Sequence, residues 1–191
     1  EGAGNVDIAD PTTIPGTVEY YGASAGTIYS TLGTANQYTN LLITGTSGYT
    51  EDGALSVSTG TEIDVGAGNS LTLNTEANDF ATVTVTSANN VNLNDAGALA
   101  VQGAISGQLT LTTGGDITDS AALSVGGVAD LDAGGNQVLL TTGTNDFQGR
   151  VDIANATTVD LADDNGIDLG TMSASALDVT AGGAGGENVT N

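Results

Sequence analysis

The chain has 191 residues, enough for one domain or one array of small repeats, and carries a single basic residue, Arg150, against 23 acids, for a formal net charge of −22. Such a surface repels nucleic acid, whose phosphates are bound by neutralising them with Lys and Arg, and it repels anionic lipid headgroups as well. Without histidine or cysteine there is no imidazole base, no thiol nucleophile, no disulfide and none of the usual zinc ligands, and no apolar run is long enough to span a bilayer.

Residues 1–39 read as divergent N-terminal strands or a cap, continuous with the remainder of the chain. Val6-Asp7-Ile8 predicts a first short strand, and Pro11 and Pro15 predict a turn or a sheet edge. Gly16-Thr17-Val18-Glu19-Tyr20 alternates as a strand, and Thr27-Ile28-Tyr29 follows. The five tyrosines, Tyr20, Tyr21, Tyr29, Tyr38 and Tyr49, all fall in the first fifty residues. They predict a larger-bodied core or cap at one end, ahead of the other reading, a patch that stacks carbohydrate.

From residue 40 the chain writes one stretch and then writes it again. Ala54-Leu55-Ser56-Val57 returns as Ala122-Leu123-Ser124-Val125, an offset of 68 (from 55 to 123). The same offset carries Ile63 to Leu131, Val83 to Val151, Val91 to Val159 and Leu109 to Leu177. This divides the chain into a first repeat (40–107), a second (108–175) and the start of a third (176–191). Asn78-Asp79-Phe80 returns as Asn145-Asp146-Phe147, an offset of 67. One residue is lost after Val65 and regained after Phe80, between apolar pairs rather than inside them, as turns allow and packed strands do not.

Apolar pairs flanking one polar residue recur throughout: Leu41/Ile43, Leu55/Val57, Ile63/Val65, Leu71/Leu73, Val83/Val85, Val91/Leu93, Leu99/Val101 and Leu109/Leu111. Period-two alternation predicts short strands, and the Gly, Asn, Asp, Ser and Thr between them predict turns. Short, evenly spaced strands fit a sandwich, a barrel or a solenoid. A self-repeating sequence with few aromatics and small aliphatic inward residues selects the solenoid. The expectation is an all-β parallel β-helix with coils of roughly 20–28 residues and some eight coils in all. About eight strands per repeat require one degenerate strand near Phe80 if the coils have three sides.

Gly114-Gly115-Asp116-Ile117-Thr118, with the Ala122–Val125 and Asn145–Phe147 segments after it, resembles the repeats of large bacterial adhesins of the filamentous haemagglutinin type. The stretch from Ser87 to Leu99 resembles them too, and Gly16 through Gly45 is similar to another recurrent unit of giant bacterial surface proteins. The resemblance implies a right-handed parallel β-helix, secretion across the outer membrane, and a place at the bacterial cell surface as an adhesin or stalk. The secretion-recognition domain of such proteins is not visible in these residues.

Candidate chemistry is sparse. A β-helical polysaccharide lyase would need a basic residue, and only Arg150 is present. A hydrolase needs two placed carboxylates, but Asp64, Asp132, Asp152 and Asp160 sit at repeat positions, as surface decoration does. No catalytic or cofactor-binding residue is therefore assigned, and a polysaccharide-acting enzyme stays a distant alternative. The densest acidic cluster offers calcium oxygen ligands at Asp163, Asp164, Asn165 and Asp168, although neither the EF-hand nor the glycine-rich nonapeptide spacing is met. A solvated turn is the simpler reading there. Asn155-Ala156-Thr157 and Asn188-Val189-Thr190 fit the glycosylation sequon by chance in a bacterial chain, and the Thr82, Thr84, Thr86 row is lost in the second copy.

The tail from Gly182 to Asn191 supplies no evident cap, which predicts either continuation of a longer rod or end-to-end stacking of chains. The reading is thus an extracellular structural and adhesive segment, with itself or surface glycans as partners, outside the membrane and free of nucleic acid. The alternative is a self-assembling extracellular filament subunit stabilised by calcium.

Overall fold

A computed structural model describes residues 14–32, 36–46, 48–182 and 189–190. The predicted strand at Val6–Ile8, Pro11, the Asn188 sequon and most of the glycine-rich tail lie outside the described residues. Within them are eighteen strands and no helix, and every pairing between strands is parallel. The chain is a parallel β-solenoid: each turn lays its strands on those of the turn before, and the alternating aliphatic residues point into the coil.

The coils have three sides. On the first, Leu71, Val91, Leu109, Ala129, Val151 and Leu169 stand in register on successive turns. On the second, Leu99, Ile117, Val138, Val159 and Leu177 form the column, and Ile14, Tyr38, Val57 and Phe80 occupy that side in the earlier turns. On the third, Ile43, Ile63, Val85, Gly103 and Leu123 follow one another. Several strands run from one side to the next without a break, among them Ser56–Gly66, Leu71–Phe80, Ala129–Leu140 and Arg150–Asp163. From Gly26–Ile28 to Val189–Thr190 the first side holds nine strands, hence eight turns, as the spacing predicts.

The turns are shorter than expected. Register partners lie as little as 17 residues apart (Ala88 to Ile105) and up to 24 (Ile14 to Tyr38), against the expected lower bound of 20. The count of sides per repeat is also corrected. Leu41 pairs with Thr61, Thr61 with Val83 and Val83 with Val101, so three full turns take residues 41 to 101. Eight more residues reach Leu109, which lies on the next side and pairs with Val91 and Ala129. One 68-residue repeat is therefore ten sides, or three and one-third turns. Three sides per repeat lack an aliphatic pair: their buried inward residues are Tyr49 and Glu51, Asn78 and Phe80, and Ile105. One of the three is at Phe80, where a degenerate strand is expected.

The register repeats with the sequence. Shifted by 68, the pairs Leu41–Thr61, Thr61–Val83 and Val83–Val101 become Leu109–Ala129, Ala129–Val151 and Val151–Leu169. Because the shift is not a whole number of turns, each repeat is rotated by one side about the solenoid axis. The two length changes fall at corners. Gly66 (φ 84°) opens the first, where Asn69 donates to Val65 O at 2.8 Å, and Gly134 (φ 57°) its second copy, where Asn136 donates to Ala133 O at 2.9 Å.

The core is a set of stacked columns of Leu, Ile and Val with almost no exposure. Packing is tight enough to select residues one by one. A Cβ on Gly103 (φ 109°) would lie 1.9 Å from the Val85 carbonyl oxygen in the turn below, so only glycine fits. Pro15 sits where the register of Ile14–Tyr20 against Tyr38–Ile43 slips, on a strand that among the described residues is paired on one side only, which is where a residue without an N–H is tolerated.

Candidate functional site

The buried acids and amides inside the solenoid are few, and they recur. Glu51, Asn78 and Asp95 are buried, and 67 or 68 residues on stand Asp119, Asn145 and Asp163, of which Asn145 and Asp163 are buried. Each trio spans three successive turns at one corner. The first lies between the first and second sides and the second between the second and third, as the one-side rotation requires.

At the first corner Asn78 Oδ1 accepts the Leu55 N–H at 2.7 Å, and its Nδ2 donates to Glu51 Oε2 (3.0 Å) and Leu73 O (3.1 Å). At the second, Asn145 Oδ1 accepts the Leu123 N–H at 2.8 Å, and its Nδ2 donates to Asp119 Oδ2 (2.6 Å) and Leu140 O (3.2 Å). The aspartate one turn on closes each set. Asp95 accepts N–H bonds from Phe80 (2.7 Å) and Gly97 (2.9 Å), and Asp163 from Phe147 (2.8 Å) and Asn165 (3.0 Å). The outer acids join in: Glu51 takes the Thr75 N–H, and Asp119 takes those of Thr141 and Thr142. At a corner the backbone turns away from the ladder, its N–H groups lose strand partners, and these side chains replace them.

Burial pushes the Asp95 and Asp163 carboxyls up from the usual carboxylate range, and the two backbone N–H bonds to each hold them back. Asp79 beside Asp95, and Asp146 and Asp164 beside Asp163, add to the rise.

Of the predicted calcium ligands, Asp163 thus faces inward with both carboxylate oxygens bonded to backbone. Asp164 and Asn165 are exposed in the turn, and Asp168 is exposed on Ile167–Met172, where it pairs in register with Arg150. Among the described residues no group of three or more acidic side chains is arranged to hold a metal ion. Arg150 is bound to Asp152 Oδ2 through its terminal nitrogen (2.7 Å) and Nε (2.8 Å), and this bond, with the Thr171 N–H, holds the Asp152 carboxyl low. Asp64, Asp132, Asp152 and Asp160 all occupy outward positions of their strands. The neighbours of Thr84 in register are Glu62 and Gln102, so no threonine array forms on that side. Asn155 is exposed at φ 49° and donates to Asp132 Oδ2.

The tyrosines divide. Tyr38 and Tyr49 fill the interior of the early turns, with Tyr20 packed edge-on against Tyr49 at 6.4 Å between ring centroids. The Tyr20 and Tyr38 hydroxyls are 3.0 Å apart; the Tyr38 hydroxyl also donates to Tyr29 O, and Tyr20 accepts the Tyr29 N–H. Burial, and then the Tyr20 bond, push the Tyr38 hydroxyl well above its ordinary range. Tyr21 and Tyr29 are exposed.

Recurrence of Asn-Asp-Phe was the sequence signal for the polar corners. Their function was not readable from it, because the atoms each asparagine serves lie up to 27 residues away in the chain. The search of curated proteins and that of solved structures each found no match. A family described as Repeats of unknown function (DUF5649) matches residues 16–87 and 88–154. The first match takes in part of the segment set apart as divergent, and together the two cover most of the chain. Two matches in tandem, each of about 70 residues, place this chain in that family of repeats.

Proposed function

We propose that the chain is a structural and adhesive segment of an extracellular rod or stalk at a bacterial cell surface, with no catalytic step of its own. The observation that carries this reading is the use of the buried polar side chains. Both corner trios serve the backbone, and Asp64, Asp132, Asp152 and Asp160 stand at outward positions of their strands rather than converging on one place. A chain built this way supports length and a solvated surface. Its sequence resemblance to adhesins of the filamentous haemagglutinin type supplies the cell-surface setting.

The alternative, a self-assembling filament subunit tightened by calcium, is favoured by Ala176–Ala181. Among the described residues this strand pairs only with Arg150–Asp163, and its Leu177 is 48% exposed.

Electron microscopy of the purified chain, with size-exclusion chromatography in calcium and in chelator, separates the two. The segment reading expects single rods about 40 Å long, eight turns at a strand spacing of about 4.8 Å, unchanged by chelator and retained on bacterial or host-cell surfaces. Long uniform filaments that shorten in chelator would establish the alternative. Rods that bind no surface would leave the stalk and remove adhesion.

A further inference from the structure

We propose that Asn165 is a site of spontaneous covalent modification, where the main chain attacks the side-chain amide and converts it to a carboxylate or an isoaspartyl link. Asn165-Gly166 is the one place where asparagine precedes glycine. With no Cβ on the following residue, its backbone nitrogen can approach the asparagine Cγ, which a larger neighbour obstructs. The place in the fold adds to this. Asn165 is exposed, in the turn between Arg150–Asp163 and Ile167–Met172, and not held in a ladder. Its Nδ2, the leaving nitrogen, is bound to Asp146 Oδ1 at 3.1 Å.

The step needs only water. The Gly166 nitrogen bonds to Asn165 Cγ and loses its proton, the Cγ–Nδ2 bond breaks, and ammonia leaves a five-membered imide. Water then opens the imide at either carbonyl. One opening gives aspartate with the original backbone. The other gives isoaspartate, in which the main chain runs through the side chain and gains a methylene.

The consequence is local and falls on one repeat only. A carboxylate at 165 faces Asp146 with the hydrogen bond gone, beside Asp164, in a chain that is already strongly acidic. The isoaspartyl product also lengthens the turn between Asn165 and Gly166, directly after Asp163. Asp163 holds the Asn165 and Phe147 N–H groups, so the second polar corner loosens. The first corner is immune, because the position 68 residues earlier is Gly97.

The test is timed incubation of the intact chain at mildly alkaline pH, with peptide mapping by mass spectrometry and an enzymatic assay for isoaspartate. Asn69, Asn90 and Asn136 serve as internal references. The expectation is that the peptide carrying Asn165 converts first and that Gly166→Ala slows its conversion roughly tenfold by restoring a Cβ. N165G, which installs the residue of the first repeat, should abolish the early isoaspartate signal. Circular dichroism of both variants before incubation establishes that they are folded. If a variant does not fold, the wild-type order of conversion decides alone. An Asn165 amide that outlasts the reference asparagines, or that converts as fast in folded Gly166→Ala, overturns the proposal.

Discussion

Asn145 shows how one residue holds a corner. Its amide satisfies the Leu123 N–H, the Leu140 carbonyl and the Asp119 carboxylate, from inside the coil where water does not reach. Replacing it with alanine strands these groups, and each buried unpaired group costs about 1–3 kcal/mol. Asn145→Ala should therefore lose about 3 kcal/mol, read by urea denaturation, and Asn78→Ala at least as much, since it makes the matching three contacts and a further one to Asn94 O. Comparable losses at the two sites would show that the repeat is energetic as well as sequential; a loss below about 1 kcal/mol at either would mean that solvent enters that corner. The sequence displayed both asparagines, with Phe80 and Phe147 two residues on. It did not display their partners, because a solenoid contact joins residues a full turn apart and the chain between carries no mark of where each turn closes.

At the scale of the strand, the legible part was the aliphatic pair. Leu71/Leu73, Val91/Leu93 and Leu109/Leu111 read as strands because two inward side chains with one outward between them suffice to define a side. The sides at Tyr49–Glu51 and Ile105 were missed for the same reason, and that at Asn78–Phe80 was legible only as a degenerate strand, since polar, aromatic or single residues fill their inward places. The repeat therefore looked like eight strands and a degenerate ninth, a whole number of three-sided turns, instead of ten sides, which hid the rotation. Gly103 is a second illegible element. A glycine in Leu99–Ile105 reads as a weak strand, whereas its role is to let that strand lie on Val85 with no atom between them. Gly103→Ala must push two turns apart and adopt a disfavoured φ, so a loss well above the roughly 1 kcal/mol of an ordinary glycine replacement is expected. A melting temperature within a few degrees of wild type would show that the turns can yield there.

For the whole molecule, charge and pH decide. The raised Asp95 and Asp163 carboxyls bind protons more tightly in the folded chain than in the unfolded one. Their contribution is full below the unfolded value of about 4 and is lost as pH rises through the folded value. Protonation also lowers the self-repulsion of a chain with a net charge of −22. Asp152, held low by Arg150, works in the opposite direction, but it is a surface pair and weighs little. The chain should thus be more stable at pH 5 than at pH 8, measured by urea midpoint. Asp163→Asn keeps an acceptor for the Phe147 N–H and should flatten part of that slope. A midpoint that rises from pH 5 to pH 8 would show that the ionised acids are better paired than their burial implies.

The one-third turn left over in each repeat makes the solenoid a screw. Any feature written once per repeat reappears about 16 Å further along, at a strand spacing of about 4.8 Å, and a third of a revolution around. The two polar corners already trace this thread. A side chain that gripped a surface would be offered in every direction in rotation, with no smooth back and no sticky front. Two such rods lying side by side bring their equivalent residues together only at isolated points, never along a common row.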